Sequence, residues 1–151
     1  MKTHPSHPNK QTGSMLLEGL ISILLFSIGI LAIVSLQAAS IKMVGDAKYR
    51  SDASLLADQL IGQMWASDRT TTTLQGNFSS TPAGTLYTNW VNSVNAALPG
   101  VSGVAANQPT VVFTTNALTA SPSSIATITI YWNSPNEPTK AHKHVVVAEI
   151  I

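Results

Sequence analysis

Between Glu18 and Lys42 the chain carries no ionisable side chain, and from Gly19 to Ser40 it reads GLISILLFSIGILAIVSLQAAS. As a helix this run is long enough to cross a hydrocarbon core of about 30 Å. The pattern does not stop there: from Ser14 to about Ser67 there is no proline, so one continuous helix is expected, roughly 80 Å long at about 1.5 Å per residue. Its two halves differ in chemistry. Ser14–Ala39 is apolar on every side, as for a segment surrounded by lipid or by other helices. From Ile41 onward Ala53, Leu56, Leu60 and Met64 recur three or four apart on one stripe, and the pairs Asp46/Arg50 and Lys48/Asp52 are spaced to close ion pairs across a solvated turn. Gly29, Gly45 and Gly62 are weak points, each costing up to about 1 kcal/mol relative to Ala.

Upstream lies Met1–Gly13, MKTHPSHPNKQTG, with two prolines, two lysines, two histidines and no apolar periodicity. Its lysines favour the cytoplasmic side by the positive-inside bias. The whole chain has 151 residues, 44% of them hydrophobic and 10% charged, with no cysteine and a net charge of +1. That length suits one domain and an appendage. A charge so near zero, with Lys and Arg scattered, gives no electrostatic footprint for nucleic acid. The lack of cysteine excludes a disulfide scaffold, a thiolate zinc site, an iron–sulfur cluster and a thiol nucleophile. A second charge-free stretch, Thr70 to Asn136, is rich in Ser, Thr and Asn and reads as a water-exposed surface of hydroxyls and amides.

Beyond Asp68, TTTTLQGNFSSTPAGT reads as a loop by composition. Leu86, Trp90, Val94 and Leu98 then recur every four residues, predicting a short helix stopped by Pro99-Gly100. After a Gly-containing connector, Thr110–Thr115 reads as a strand. Ile125–Trp132 is a clearer one, with Ala126, Ile128, Ile130 and Trp132 on one face and Thr127, Thr129 and Tyr131 on the other. Asn133–Thr139 is a turn, and His144–Ile151 a terminal strand antiparallel to the previous one. The fold class is therefore α+β, a long N-terminal helix packed on a small antiparallel sheet.

Motifs for catalysis are nearly absent: no nucleophile elbow, phosphate-binding glycine loop or zinc helix motif occurs, and nothing points to a cofactor. His142 and His144 would share one face and form half of a metal site, but no third ligand accompanies them, and they read as polar residues at a frayed strand start. Asn77-Phe78-Ser79 fits a glycosylation sequon, a triplet that chance also supplies. Glu18 is different. A carboxylate costs about 2.5–3.5 kcal/mol at mid-bilayer and less near the interface. It either marks that interface or needs a cation from another chain.

Gly13-Ser14-Met15-Leu16-Leu17-Glu18, after a lysine-containing leader and before an uncharged helix, resembles the class III signal of type IV pilins and pseudopilins. The resemblance implies that a prepilin peptidase/methyltransferase cuts between Gly13 and Ser14 and N-methylates Ser14. It also implies that Glu18, at the fifth mature position, neutralises the Ser14 ammonium of a neighbouring subunit. Within the superfamily, Ala53–Met64, Trp90 with Leu98-Pro99-Gly100, and the late strand ending at Trp132 are similar to minor pilins of the PilV group, the type IV pilus modification proteins. Three departures from major pilins fit a minor one: Ser14 at the new terminus, Ser35 in place of a helix-kinking proline, and no C-terminal cysteine pair.

The resemblance thus implies a leader at 1–13, a membrane and polymerisation segment at 14–40, an amphipathic half-helix at 41–67 and a periplasmic pilin-like domain at 68–151. It implies residence in the bacterial inner membrane with a cytoplasmic N-terminus, and later in the pilus. Its partners would be other minor and major pilins and the inner-membrane assembly platform, and its role pilus initiation or tip assembly, supporting adhesion and twitching motility without catalysis. A minor pseudopilin of the I type in a type II secretion system shares this signal and architecture. A secreted binding domain whose signal ends at Leu36-Gln37-Ala38 is a third reading, against which stand an apolar run longer than the usual ~7–15 residues and the acid at its start.

Overall fold

The computed structural model describes residues 12–116 and 123–151. Most of the leader expected at 1–13 lies outside the described residues, as does the segment 117–122. The elements are α1 (Thr12–Ala66), α2 (Thr71–Phe78), α3 (Thr85–Ala97), a 3₁₀ turn (Ala105–Asn107), β1 (Thr110–Asn116), β2 (Ser123–Asn133) and β3 (Ala141–Ile150). The strands form an antiparallel sheet in the order β1-β2-β3, so the architecture is α+β. The long helix is continuous, and its three glycines do not interrupt it. The chain divides into two compact units, Met1–Ile41 and Lys42–Ile151.

In the second unit, residues 42–66 of α1 supply one wall of the core. Ala53, Leu56, Ala57, Leu60 and Met64 are all buried, the stripe that a 3.6-residue period selects. The opposite wall is the inner face of the sheet. Val111 of β1 and Ala126, Ile128, Ile130 and Trp132 of β2 are buried, and Val146, Ala148 and Ile150 of β3 lie on the same side. The alternation of β2 is followed residue by residue.

α3 contributes Tyr87, Trp90 and Val94 to the core. The Trp90 indole donates to the Leu56 carbonyl of α1 at 2.8 Å and the Tyr87 hydroxyl to the Pro109 carbonyl at 2.6 Å, so the polar atoms buried with these rings find acceptors. Burial also raises the Tyr87 pKa, because phenolate would be poorly solvated there. Two glycines are dictated by geometry. A Cβ at Gly84, which caps α3, would fall 2.1 Å from the Asn77 carbonyl oxygen. Gly100 has φ +72°, and a Cβ there would meet that of Asn133 at 2.7 Å.

Four expectations are corrected. The hydroxyl-rich stretch after Asp68 contains helix α2, because Leu74 and Phe78, four apart, both bury completely. Asp68 steadies its start: Oδ1 accepts the Thr70 N–H at 3.0 Å, the main cause of a lowered Asp68 pKa. β3 begins at Ala141 rather than His144, and β2 ends at Asn133, so the histidines stand inside the ladder, opposite Trp132 and Ile130. The pairs Asp46/Arg50 and Lys48/Asp52 are not closed: the ion pairs among the described residues gather on Glu137 instead. Exposed pairs repay little of the side-chain entropy needed to hold them, and Lys48 lies 5.9 Å from the centre of the Tyr49 ring.

Candidate functional site

Gly13, Ser14 and Glu18 occupy the first turns of α1 and are exposed. Among the described residues a Cβ built on Gly13 would meet nothing within 4 Å, as is equally true of Gly19, Gly29, Gly45 and Gly62 along the same helix. Ser14 and Glu18 are four apart and lie on one helix face. No ion pair to Glu18 is formed among the described residues.

The segment of α1 beyond Glu18 is unusual for a helix in water. From Met15 to Leu36 every large apolar side chain is exposed, Met15 by 79% and Phe26 by 70%. The helix is long and apolar enough to cross a membrane. Its hydroxyls are suited to that medium. Ser27, Ser35 and Ser40 donate back to the carbonyls of Ile23, Leu31 and Leu36 at 2.7, 2.8 and 3.0 Å. In hydrocarbon an unsatisfied hydroxyl would be costly, and this i−4 bond removes that cost within the helix itself.

The first charge after the apolar run has a partner that sequence spacing did not reveal. Lys42 donates to Glu137 Oε1 at 2.8 Å, across 95 positions of sequence. Lys140 Nζ and His142 Nε2 stand 3.6 and 3.7 Å from Glu137 Oε2. The hydrogen bond from Lys42, helped by the charge of Lys140, holds the Glu137 carboxyl below its usual range; the same bond raises Lys42. The only sequence signal was that Lys42 ends the uncharged run and Glu137 is the sole acid of the turn before β3.

His142 and His144 do share the inner side of β3. The His142 ring stacks on Trp132 with centroids 5.7 Å apart. No group of three His, Cys, Asp or Glu side chains able to hold a metal occurs among the described residues. In the sequon, Asn77 lies in the last turn of α2, beside the fully buried Phe78.

A groove of about 550 Å³ runs between α2 and β1, lined by Thr72, Gln75, Ser80, Pro82, Val111 and Phe113 among others. Ser80 in its lining donates both its N–H and its hydroxyl to the Val111 carbonyl, at 3.1 and 3.0 Å. Compared with protein-family models, curated proteins and solved structures, the chain matches none.

Proposed function

We propose that this chain is a minor type IV pilin of the PilV kind, processed between Gly13 and Ser14 and assembled through Glu18. The observation that carries the reading is the junction of a small α+β unit, whose core is filled from within Lys42–Ile151, with an apolar helix left wholly uncovered. In its first turns stand Gly13, which no described residue packs against, and Glu18, the one carboxylate before Lys42, four residues beyond the proposed new terminus.

The chemistry is consistent at each step. Cutting after Gly13 frees the Ser14 amine at the end of a helix bound for an apolar bundle. An ammonium there needs a counter-charge, since an unpaired ion in a low-dielectric interior costs several kcal/mol. Glu18 of the adjoining subunit supplies it. In this reading the chain is a substrate of the prepilin peptidase/methyltransferase and performs no catalysis. It waits in the inner membrane, its globular unit periplasmic, and joins other pilins at the assembly platform. Attachment and twitching motility depend on the pilus it helps to start.

Intact mass of the mature protein is the test. A chain beginning at N-methylated Ser14 is expected, and Gly13 replaced by a bulky residue should block cutting. A terminus near Ala39 would overturn the proposal, as would an uncut leader in cells with active peptidase. Deletion then separates pilus from secretion system: loss of pili is expected, whereas loss of exoprotein secretion with normal pili would assign the chain to the pseudopilins.

A further inference from the structure

The charges of Lys42–Ile151 are segregated in a way that the pilin reading does not use. With histidines neutral the unit carries six basic and six acidic side chains, so its net charge is zero. Yet the end that begins at Lys42 holds Lys42, Lys48 and Arg50 of α1 and Lys140 and Lys143 of the return from β2 into β3, against only Asp46 and Glu137, a surplus of three cations. The remainder holds Arg69 against Asp52, Asp58, Asp68 and Glu149. What gathers the first group is the bond from Lys42 to Glu137 at 2.8 Å, which ties the turn before β3 to the start of this stretch of α1. Lys140 Nζ stands 3.6 Å from the same carboxylate and its side chain is 68% exposed. Lys48, Arg50 and Lys143 are exposed and close no ion pair among the described residues.

This end lies close to the membrane wherever α1 crosses one. The uncharged run Gly19–Ser40 spans about 33 Å as a helix and so uses up a hydrocarbon core of about 30 Å. Lys42 follows that run by two positions in the same helix, about 3 Å. Covalent continuity alone therefore brings Lys42, and the turn bonded to it, into a headgroup layer roughly 6 Å deep. Lys48 and Arg50 stand about 9 and 12 Å further along α1. That is within reach of a charged surface, whose field extends about 10 Å at 0.1 M salt.

We propose that this basic end is a docking surface for anionic phospholipid headgroups of the leaflet from which α1 emerges, with Lys48, Lys140 and Lys143 as its exposed contacts. The proposal rests on the membrane placement of α1 in the reading above, but not on leader cleavage or on Glu18. Position and sign fix the occupant. The chain's own apolar run brings a headgroup layer to Lys42, and the surplus of cations selects anionic headgroups over neutral ones. Each Lys or Arg near an anionic surface favours docking about fivefold, so a surplus of three is worth on the order of a hundredfold. The acids of the remainder are repelled by the same surface, which leaves the Lys42 end as the one that faces lipid. On a neutral bilayer the preference vanishes.

The test uses the full-length protein reconstituted in vesicles of phosphatidylcholine, alone or with about one-third phosphatidylglycerol. The chain has no cysteine, so Thr139→Cys and Thr72→Cys each give a single site for a fluorophore. Both positions are exposed, the first beside Lys140 and the second just past the far end of α1. Quenching by a lipid with a nitroxide on its headgroup reads how near each site comes to the surface. Adding the anionic lipid should raise quenching at position 139 at least about twofold and leave position 72 unchanged. Salt at about 1 M, where the Debye length is about 3 Å, should reverse the rise without any further substitution. Lys48→Gln, Lys140→Gln and Lys143→Gln together bring the surplus to zero and should abolish it, with an unchanged far-UV circular dichroism spectrum because all three side chains are exposed. Equal quenching in the two lipids overturns the proposal, as does a rise that survives the triple substitution or appears equally at position 72. Alkaline carbonate separates the two failures. Protein that it releases from the vesicles has no membrane-spanning α1, and the membrane placement falls together with the proposal; protein retained with equal quenching refutes the proposal alone.

Discussion

Ile130 offers the sharpest test of the core. It lies mid-strand in β2, opposite His144, and is fully buried on the face turned toward the helices. Truncation to Ala removes three carbons, which at about 0.8 kcal/mol per buried methylene is about 2.4 kcal/mol of lost transfer energy. A cavity term adds to that, because β2 is the central strand and is held on both sides, so the walls cannot collapse inward freely. The expected total is about 3–4 kcal/mol, within the ~2–5 kcal/mol seen for such changes. Val145 is the control: it belongs to the adjacent strand but points to the other face and is 47% exposed. Val145→Ala should cost well under about 1 kcal/mol. Urea unfolding of a Lys42–Ile151 fragment, the compact unit, measures both. Equal costs for the two variants would refute the assignment of the inner face, and with it the packing of the sheet on residues 42–66.

Three other outcomes can be measured with little more. Gly100→Ala should destabilise the same fragment by more than about 1–2 kcal/mol, the strain of an L-residue in the left-handed region, because its Cβ also collides with Asn133; an unchanged urea midpoint would discount the positive φ. Glu137 has a lowered folded-state pKa, so its stabilisation is present above the unfolded value and is lost as pH falls through the folded one. Wild type should therefore exceed Glu137→Gln in stability near neutrality and converge with it below about pH 4, and a constant gap across that range would show that the charge is not the cause. Glu18→Ala should leave leader cleavage and the globular unit intact while excluding the protein from sheared pili; normal assembly of that variant alongside failure of Asp46→Ala would move the docking determinant to the exposed face of residues 42–66.

The parts of the fold legible in the sequence are those where apolar period and burial coincide. Leu56, Leu60 and Met64 mark the helix wall, and Ile128, Ile130 and Trp132 mark the sheet wall, because each element shows one face to water and one to the core. α2 escaped because only Leu74 and Phe78 carry its period, and eight residues of mostly Thr, Gln, Gly and Asn conceal a two-residue anchor. The Lys42–Glu137 contact escaped for another reason: its partners are 95 positions apart, and only the return of β2 and β3 along α1 brings them together. The reading of Gly13, Ser14 and Glu18 is of a third kind. It rests on spacing alone, and what the structure adds is that all three are exposed.

That last distinction bears on why the terminal helix has the sequence it has. A residue fixed by folding leaves a trace in packing, as Gly84 and Gly100 do through the atoms a Cβ would strike. Gly13 leaves none among the described residues, no more than Gly19, Gly29, Gly45 or Gly62 does, and Glu18 closes no described ion pair. Nor do the large side chains from Met15 to Leu36 fill any part of the core, which is complete within Lys42–Ile151. Folding of the globular unit therefore places almost no demand on the first half of α1. Apolar side chains all round and hydroxyls turned back on their own helix are what a membrane would ask of it. A glycine and a carboxylate placed five residues apart satisfy neither constraint, and Glu18 works against the second. The proposed cut after Gly13 and counter-charge from Glu18 would account for both positions, and intact mass and the Glu18→Ala variant test that proposal where a stability measurement cannot.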